Sequence, residues 1–502
     1  MSIARVTTAQ PHVLSGTIVT IEADIARGLH AFSIVGLAGK AIDESKDRVS
    51  SAIKHSGFDS PKTKNQKIVI SLSPADVKKD GPLFDLPIAL AYLIAAEEIV
   101  VDNSPRIFVG ELALDGSIRK VKGVLNCVLA ARDAGFSEII VPLENATEAA
   151  LVEGVTIYGA TSLRDVIEHI KPDEASQKLL AQPPTHLGEE WYESSVSLED
   201  IKGQESAKRG LIIAAAGRHN VMFVGPPGTG KTMLARALRG LLPPLSREEA
   251  LAVTAIHSLV RDETDISTRP PFRAPHHTAS HTALVGGGTN PRPGEVTLAH
   301  HGVLFMDEFP EFERRSLDAL RQPLEDRVVT ISRVQGSAEF PADFILVAAL
   351  NPYRGTEDGT TDLARAMQET YKNKVSGPIL DRIDLWLEVP HVDYETLTTL
   401  RTETGETNAA REEVLRARER MLERQGSRAT TNSNLSARDL EEIIYLSDAV
   451  KEVLKLSSAR LNLSPRSYHR LIKVARTIAD LADSEHIEVP HVLEALQYRV
   501  PL

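Results

Sequence analysis

The sequence predicts an α/β protein with three domains, on the evidence of three stretches of different pattern. Residues 1–170 alternate strands with amphipathic helices. Residues 196–395 alternate fully apolar strands with helices, as a parallel sheet covered on both faces requires. Residues 396–502 have an almost wholly helical pattern, and the polar, proline-containing segment 171–195 is predicted to be a linker.

Local patterns place individual elements in the first and last domains. In the first, we predict strands over 17–22 and 67–72 and helices over 41–54, 85–96 and 124–134. In the last, we predict helices over 409–425, 437–455, 465–483 and 490–498. Ser464 followed by Pro465 is typical of a helix start, because serine caps free backbone N–H groups and proline has none to cap.

The composition is that of an ordinary globular protein, with 42% hydrophobic and 25% charged residues among 502. Cys127 is the single cysteine, which excludes an intrachain disulfide and any metal site built from several cysteines of one chain. The longest apolar stretch, 86–96, is too short to cross a bilayer, and the N-terminus lacks the apolar core of a signal peptide. We therefore expect a cytoplasmic protein with no membrane partner.

The most informative stretch is a glycine-rich loop between a predicted buried strand, 221–224, and a predicted helix, 233–238. This phosphate loop consists of Gly225, Pro226, Pro227, Gly228, Thr229, Gly230, Lys231 and Thr232. The pattern G-x-x-x-x-G-K-T binds a triphosphate through backbone N–H groups at a helix N-terminus. We expect Lys231 to reach the β- and γ-phosphates of ATP and the Thr232 hydroxyl to bind Mg²⁺.

Polar residues follow two further apolar strands. Asp307 and Glu308 come directly after the strand 303–306, and Asn351 ends the strand 344–350. In a parallel sheet these ends line the ligand crevice. We expect Asp307 to complete the Mg²⁺ shell, Glu308 to orient and deprotonate water, and Asn351 to bond that water and the γ-phosphate. Taken alone, two exposed acids or an asparagine in a turn would explain the same residues.

With these residues in place, the chain resembles AAA+ ATPases. Asn351 takes the sensor-1 position, Arg382 lies in a segment similar to the one that carries the arginine finger, and Arg466 is similar to the sensor-2 arginine of the helical lid. The resemblance implies that Arg382 acts on ATP bound by a neighbouring subunit, and hence a homo-oligomer, usually a hexameric ring. The alternatives are a structural ion pair between Arg382 and Asp384 and a surface role for Arg466.

A long insertion between the phosphate loop and Asp307 narrows the resemblance. Residues 271–278 (PFRAPHHT), together with 299–300 and 310–312, are similar to the ComM/YifB family of magnesium-chelatase-like AAA+ ATPases, and the similarity runs along nearly the whole chain. The insertion then corresponds to the helix-2 insert of that branch. Many members have a cysteine-rich loop after sensor 1, but residues 353–361 contain no cysteine, so we expect no zinc there.

Five histidines of the insertion and the following strand also need an interpretation. They are His276, His277, His281, His300 and His301. No acidic residue or cysteine joins them at the usual ligand spacing, so hydrogen-bonding roles are favoured over a metal site.

A predicted β-hairpin, 328–333 with 340–344, precedes sensor 1. In helicases of the branch that the chain resembles, such a hairpin points into the pore of the ring. Arg333 in the hairpin and Arg292 in the insert are therefore candidate contacts to the DNA backbone, although each could equally be an ordinary surface arginine. The net charge of −12 argues against a broad basic surface and leaves room for DNA held by a few basic loops inside a ring.

Residues 78–85 (KKDGPLFD) and 110–118 resemble the α+β fold of Lon-type peptidases. Leu83 takes the position of the serine nucleophile and cannot attack a carbonyl group, so Lys122 nearby has nothing to activate. We expect no peptidase activity and a domain retained for ring assembly or nucleic-acid contact.

The sequence thus predicts an ATP hydrolase that uses ATP and Mg²⁺. By resemblance, it is a ring-forming DNA motor of the helicase or branch-migration type, which acts on single-stranded or branched DNA in homologous recombination or DNA uptake. The alternative is a protein-remodelling ATPase like that of magnesium chelatase. The intact Lys231, Glu308 and Asn351 disfavour a binding module without motor activity.

Overall fold

The computed structural model describes residues 3–12, 15–102, 104–173, 176–188, 191–260, 266, 268–288, 292–333, 336–351, 377–393, 395–396, 405–426, 431–461 and 463–499. The chain forms two compact units. The first consists of Met1–Gly188 and Arg247–Ser267, and the second of Glu189–Ser246 and Thr268–Leu502. None of the helices in the described ranges combines the length and the hydropathy that a bilayer crossing needs.

The first unit is a mixed sheet covered by helices. Its strands are β1 (Ala4–His12), β2 (Ser15–Arg27), β3 (Ala31–Val35), β4 (Gln66–Ser73), β5 (Arg106–Phe108), β6 (Glu111–Leu112), β7 (Ile118–Arg119), β8 (Glu138–Pro142) and β9 (Thr156–Ala160). Its helices before residue 171 are α1 (Lys40–His55), α2 (Asp85–Ala95), α3 (Val124–Asp133), α4 (Leu143–Ala149) and α5 (Leu163–Ile170). The main sheet has the order β3-β4-β2-β1-β5-β8-β9.

The elements predicted for this unit are confirmed, with ends that move by up to five residues. Strand β2 pairs antiparallel with both β1 and β4, whereas β5, β8 and β9 run parallel, so the unit is an α+β fold. Leu83 lies on a short 3₁₀ turn and is 4% exposed in the core, so the position of the serine nucleophile holds a buried hydrocarbon side chain.

The second unit begins with α6 (Glu205–Gly217), β10 (Val221–Val224) and α7 (Lys231–Leu241), and the next helix, α8 (Arg247–Ser258), belongs to the first unit. The insertion and the strands after it contain β11 (Phe272–Arg273), α9 (His281–Val285), β12 (Gly286–Gly287), β13 (Arg292–Pro293), α10 (Glu295–Leu298), β14 (Val303–Met306), α11 (Arg314–Ala319), α12 (Arg321–Asp326), β15 (Val328–Arg333), β16 (Gly336–Pro341) and β17 (Ile345–Leu350). The remaining elements are α13 (Gly377–Leu380), β18 (Leu385–Glu388), α14 (Glu406–Gln425), α15 (Ala437–Ile443), α16 (Asp448–Leu461), α17 (Pro465–Leu481) and α18 (Val489–Gln497).

The second unit is built on a parallel sheet with the strand order β11-β14-β17-β10-β18. Val224 lies opposite Leu350 on one neighbouring strand and opposite Glu388 on the other, and Met306 lies opposite Ala348. Because all strands point the same way, the residues that follow β10, β14 and β17 meet at the carboxyl edge of the sheet. The C-terminal helices α14 and α17 pack against α6, and one hydrophobic core contains residues from the sheet and from these helices.

Two helical features differ from the sequence prediction. The predicted helix 437–455 is two helices, because the chain is extended at Ile444, Leu446 bridges to Ile487, and the Ser447 hydroxyl caps the start of α16 by accepting from Val450 N. The second difference is α8, which lies within the range predicted for the central domain but packs in the first unit, where Ala255 is buried in the core.

Each end of the predicted linker is held by one unit. Gln182 N donates to Ile157 O at 2.8 Å in the first unit. In the second, the Arg239 guanidinium lies 3.7 Å from the centre of the Tyr192 ring.

Candidate active site

The phosphate loop connects β10 to α7, and its glycines are required by its geometry. A methyl group on Gly225 would lie 2.1 Å from Val389 O, so no larger residue fits. Gly228 and Gly230 have φ values of +80° and +91°, which favour glycine. Lys231 is the first residue of α7, so the loop leads directly into a helix N-terminus, as phosphate binding requires.

The Lys231 side chain is folded into the loop. Its Nζ donates to Gly225 O at 2.8 Å and to Pro226 O at 2.7 Å. Burial lowers the pKa of this ammonium group, because a cation loses hydration there. An anion in the loop would restore that lost stabilisation, so the lysine fits a triphosphate.

Thr232 and Asp307 face each other across the crevice. Thr232 Oγ1 lies 3.4 Å from Asp307 Oδ2. Neighbouring ligands of an octahedral Mg²⁺ ion are about 3 Å apart when each lies about 2.1 Å from the metal. The two oxygens are therefore spaced to serve one Mg²⁺ ion, and the donor set fits this metal.

Glu308 follows Asp307 in a left-handed turn, with φ +49°, and its side chain is 49% exposed. The Glu308 N–H donates to Asp307 Oδ1 at 2.9 Å, which fixes the turn between the two acidic residues. The exposed carboxylate is open to a water molecule, as a general base must be.

His277 is a contact that the sequence did not predict. Its Nδ1 lies 3.4 Å from Glu308 Oε2, and its ring packs 4.1 Å from that of His276. Strand β11 pairs parallel with β14, so residues after either strand reach the same edge of the sheet. The strand is only two residues long, which is too short for a periodicity signal, and the sequence suggested only a general hydrogen-bonding role for this histidine.

Asn351 follows β17, which lies between the strands that lead to the phosphate loop and to Asp307. Gly225 N donates to Leu350 O at 3.3 Å, so Asn351 starts next to the loop. Its Oδ1 is buried and accepts no hydrogen bond within the described residues. A buried polar atom without a partner is unusual and is satisfied when water or a ligand occupies the crevice. The carboxyl edge thus gathers Lys231, Thr232, Asp307, Glu308 and Asn351.

Arg382 lies at the opposite, amino edge of the sheet. Its carbonyl accepts from Asn220 Nδ2 at 2.9 Å, and Asn220 N donates to Asp384 Oδ2 at 3.1 Å. Asn220 precedes β10 and Asp384 precedes β18, so both strands separate this edge from the phosphate loop. A four-residue strand spans about 13 Å, so Arg382 does not share a pocket with the Lys231 of its own chain.

Arg466, at the start of α17, joins Arg382 at this edge. Both guanidinium groups form ion pairs with Glu325, which lies on α12. Burial raises the pKa of Glu325, but the hydrogen bond and the charge of Arg382, together with Arg466, outweigh it and hold that pKa below its usual value. The alternative pairing of Arg382 with Asp384 is not what the structure contains: Asp384 lies 3.6 Å from Arg470 Nε instead.

The two candidate DNA contacts lie on neighbouring hairpins. Strands β15 and β16 form a hairpin where one was predicted, but its second strand is Gly336–Pro341 and begins four residues before the predicted 340–344. In the insert, β12 pairs with β13. A methyl group on Gly286 would lie 3.2 Å from Ile331 Cδ1, so the two hairpins pack together. Arg292 is exposed on β13; Arg333 ends β15, and its side chain lies outside the described residues.

Hydrogen bonds position two of the five histidines singled out from the sequence. His300 Nδ1 accepts from Asp343 N at 3.1 Å, and His276 Nδ1 lies 2.9 Å from Thr278 Oγ1. In the part of the chain that the structure describes, no three histidine, cysteine or acidic side chains are grouped to hold a metal ion. Residues 353–361 lie outside the described residues.

A phosphate loop, paired carboxylates and a polar residue on the strand between them, all on one edge of a parallel sheet, define an AAA+ P-loop ATPase domain. Comparison with known families supports this class. Three family models match three successive parts of the chain. Residues 21–145 match the family described as subunit ChlI of Mg-chelatase, and residues 197–397 match the family described as magnesium chelatase, subunit ChlI. Residues 404–499 match the family described as magnesium chelatase, subunit ChlI C-terminal.

Individual relatives narrow the class further. The chain is 43% identical to the competence protein ComM of Haemophilus influenzae over 99% of this chain and 98% of the relative. It is 42% identical to the uncharacterized protein YifB of Salmonella typhimurium, over 99% and 97%. It is also 32% identical to Lon protease 2 of Bacillus subtilis over 30% of this chain and 32% of that protein. The chain belongs to the ComM/YifB family of magnesium-chelatase-like AAA+ ATPases.

Proposed function

We propose that this protein is an ATP-driven DNA motor that works as a ring, a hexamer by its family resemblance. The observation that carries the proposal is the division of the catalytic groups between two edges of one sheet. Lys231, Asp307 and Glu308 lie at the carboxyl edge, whereas Arg382 and Arg466 lie at the amino edge. A pocket that needs both sets is completed only when a second protomer presents its amino edge to the first.

The chain's own residues have the following roles in this proposal. The loop N–H groups and Lys231 bind the phosphates, and Thr232 and Asp307 hold Mg²⁺. Glu308 accepts the proton of the attacking water, and His277 holds the Glu308 carboxylate in position. Bound ATP with Mg²⁺ supplies the phosphoryl group that is transferred. The neighbour's arginines stabilise the charge that develops, and Asn351 orients the water.

DNA is proposed as the substrate on the basis of the two packed hairpins. Arg292 is exposed on one of them, so it can present a cation to phosphates, and Arg333 is the last residue of β15 on the other. We assign both arginines to phosphate contacts. Phosphate contacts give affinity without sequence specificity, as a translocating motor requires. The Haemophilus relative is a competence protein, which supports our proposal of a role in DNA uptake or recombination. We place this role in the cytoplasm. We propose that the first unit contributes to ring assembly or to nucleic-acid contact.

A protein-remodelling ATPase is the second candidate, and the match to the ChlI subunit of magnesium chelatase favours it. DNA-stimulated hydrolysis separates the two candidates. Phosphate release is measured with single-stranded, duplex, forked and four-way DNA. We expect branched or single-stranded DNA to raise turnover severalfold; a rate that none of these substrates changes would favour protein remodelling.

A matched pair of variants sharpens this assay. Arg292→Ala removes the exposed hairpin arginine and is expected to reduce stimulation by DNA while the rate without DNA is kept. Arg438→Ala, at an arginine whose side chain is 85% exposed on α15, is the control and should keep full stimulation. Equal stimulation in both variants would exclude Arg292 as a DNA contact.

A further inference from the structure

A second cavity lies at the amino edge of the sheet in the second unit, and its lining is strongly charged. Its volume is about 650 Å³, within the usual range of small-ligand sites. Five cationic side chains line it: Arg218, Arg327, Arg466, Arg470 and Lys473. Three acidic side chains also line it: Glu325, Asp343 and Asp384.

Each acidic side chain already has at least one cationic partner. Asp343 Oδ1 lies 3.5 Å from Arg218 Nη2 and 3.7 Å from Arg327 Nε. Asp384 lies 3.6 Å from Arg470 and 3.5 Å from His219. Glu325 is held by Arg382 and Arg466. The cavity therefore keeps an excess of positive charge that these carboxylates do not neutralise.

Lys473 is the clearest case of an uncompensated cation. Within the described residues no carboxylate lies within 4 Å of its Nζ, and its hydrogen bond goes to Ser433 O, at 3.0 Å. Burial lowers the pKa of Lys473 to about 8, because the nearby charge of Asp384 does not offset the lost hydration and the repulsion from Arg470. Buried charges are normally paired, since an unpaired one costs several kcal/mol.

Two of the arginines have unused donors in the same place. Arg470 Nη1 and Arg218 Nε are buried and have no acceptor within the described residues. The Arg470 side chain is 15% exposed and that of Arg218 is 8% exposed, whereas Arg466 is 48% exposed. The unsatisfied donors thus belong to the more enclosed part of the lining, away from the exposed arginine assigned to a neighbour's nucleotide.

We propose that this cavity binds a phosphate-bearing anion, held by Lys473, Arg470 and Arg218. Guanidinium groups bind phosphate oxygens through paired N–H donors, and an ammonium group adds a point charge. The phosphate comes either from a free polyphosphate or from the backbone of a nucleic acid. The site is separate from the phosphate loop, which lies at the other edge of the sheet.

The test uses the full chain with Lys231→Ala, which removes phosphate binding at the loop. Pyrophosphate is titrated by calorimetry and by thermal melting into this protein, into the same protein with Lys473→Met, and into the same protein with Lys451→Met. Lys451 is the matched control, with a side chain that is 60% exposed beside Asp448. We expect pyrophosphate to raise the melting temperature of the parent and of the control, and Lys473→Met to weaken binding about tenfold or more, because one charged hydrogen bond is lost.

A single-stranded ten-nucleotide DNA in place of pyrophosphate distinguishes the sources. Binding of either probe that depends on Lys473 supports the site, and the stronger of the two identifies the source of the phosphate. The melting temperature without any anion gives an independent readout: Lys473→Met should equal or exceed the parent, because the variant removes an uncompensated buried charge. Binding of both probes unchanged by Lys473→Met, no binding at all, or a variant that melts lower without anion would overturn the proposal.

Discussion

Two inactive variants should restore ATP hydrolysis when they are mixed. Lys231→Ala disables the phosphate loop at the carboxyl edge, and Arg382→Ala removes the arginine at the amino edge. Each variant alone should lose a factor of about 10³ or more, since an arginine finger is worth ~10³–10⁵ in kcat and a loop without its lysine does not hold the triphosphate. Each still carries the half of the site that the other lacks.

The size of the recovery follows from the geometry. In rings assembled at random from equal amounts, half of the loops are intact because they come from Arg382→Ala protomers. Half of these face a neighbour that has kept Arg382, so about one quarter of the sites are complete in a closed ring with one type of interface. The mixture should therefore hydrolyse ATP at about a quarter of the wild-type rate. A site completed within one chain would give no recovery.

The measurement is steady-state phosphate release with DNA present, after the two proteins have been combined without nucleotide. Different affinity tags and a pull-down establish that mixed rings have formed. A mixture of Lys231→Ala with Arg438→Ala is the control: its loops are intact in half of the protomers and every protomer keeps Arg382, so about half of the wild-type rate should remain. Mixed rings that stay inactive when Lys231→Ala is combined with Arg382→Ala would refute the assignment of Arg382 to the neighbour's site.

Three further predictions test single residues. Glu308→Gln should bind ATP normally and lower the turnover number by a factor of ~10²–10⁴, because the general base is lost. A fluorescent-nucleotide titration measures the binding, and phosphate release measures the turnover. Near-normal turnover would exclude Glu308 as the base. His277→Ala should lower kcat without a change in nucleotide affinity, with partial rescue by His277→Gln; an unchanged kcat would leave the His277 contact without a catalytic role. Burial and the charge of Arg218 lower the pKa of His301 in the folded protein to about 4. As the pH falls below about 6.5, the usual pKa of histidine, this side chain takes up a proton in the unfolded chain but not in the folded one, so the folded protein loses stability. His301→Asn keeps a residue that tolerates the positive φ and should remove up to about 2 kcal/mol of the stability lost between pH 7 and pH 5, measured by denaturant unfolding at both pH values. Equal losses in both proteins would contradict the assignment.

The carboxyl-edge site could be predicted from the sequence because its parts are local. The glycine spacing before Lys231 and the acids after an apolar strand are each contained in a short stretch, and the parallel sheet brings strand ends together without further information. Asn351 was predictable for the same reason, since a buried strand that ends in one polar residue marks that edge. Helices α1, α2 and α3 of the first unit were predicted to within one residue at each end, whereas α4 and α5, of seven and eight residues, were not predicted.

The amino edge could not be predicted in the same way. Arg382 and Arg466 lie 57 and 141 residues after Glu325 along the chain, and no periodicity links the three. The position of α8 was missed for a related reason, because an apolar helix face shows that a helix packs but not which core it joins. The break between α15 and α16 did have a signal, since Ser447 and Asp448 are typical of a helix start.

The positions of the two hairpins bear on how hydrolysis could move DNA. Glu325 forms ion pairs with both arginines of the amino edge, and it lies on α12, which leads directly into β15. Gln322 Nε2 on the same helix donates to Thr330 Oγ1 on β15 at 3.0 Å. Helix α12 is therefore connected to the hairpin both by the chain and by a hydrogen bond. In the proposed ring, a neighbour's triphosphate that approaches Arg382 and Arg466 would compete with the Glu325 carboxylate for the same cations. A released Glu325 would free one restraint on α12. At the other edge, His277 connects Glu308 to the insert that carries the second hairpin. In the proposed mechanism, each hairpin is joined by a short segment to a residue that would change partners when nucleotide binds or is cleaved. Physical coupling requires such an element with two arrangements that both sites bias.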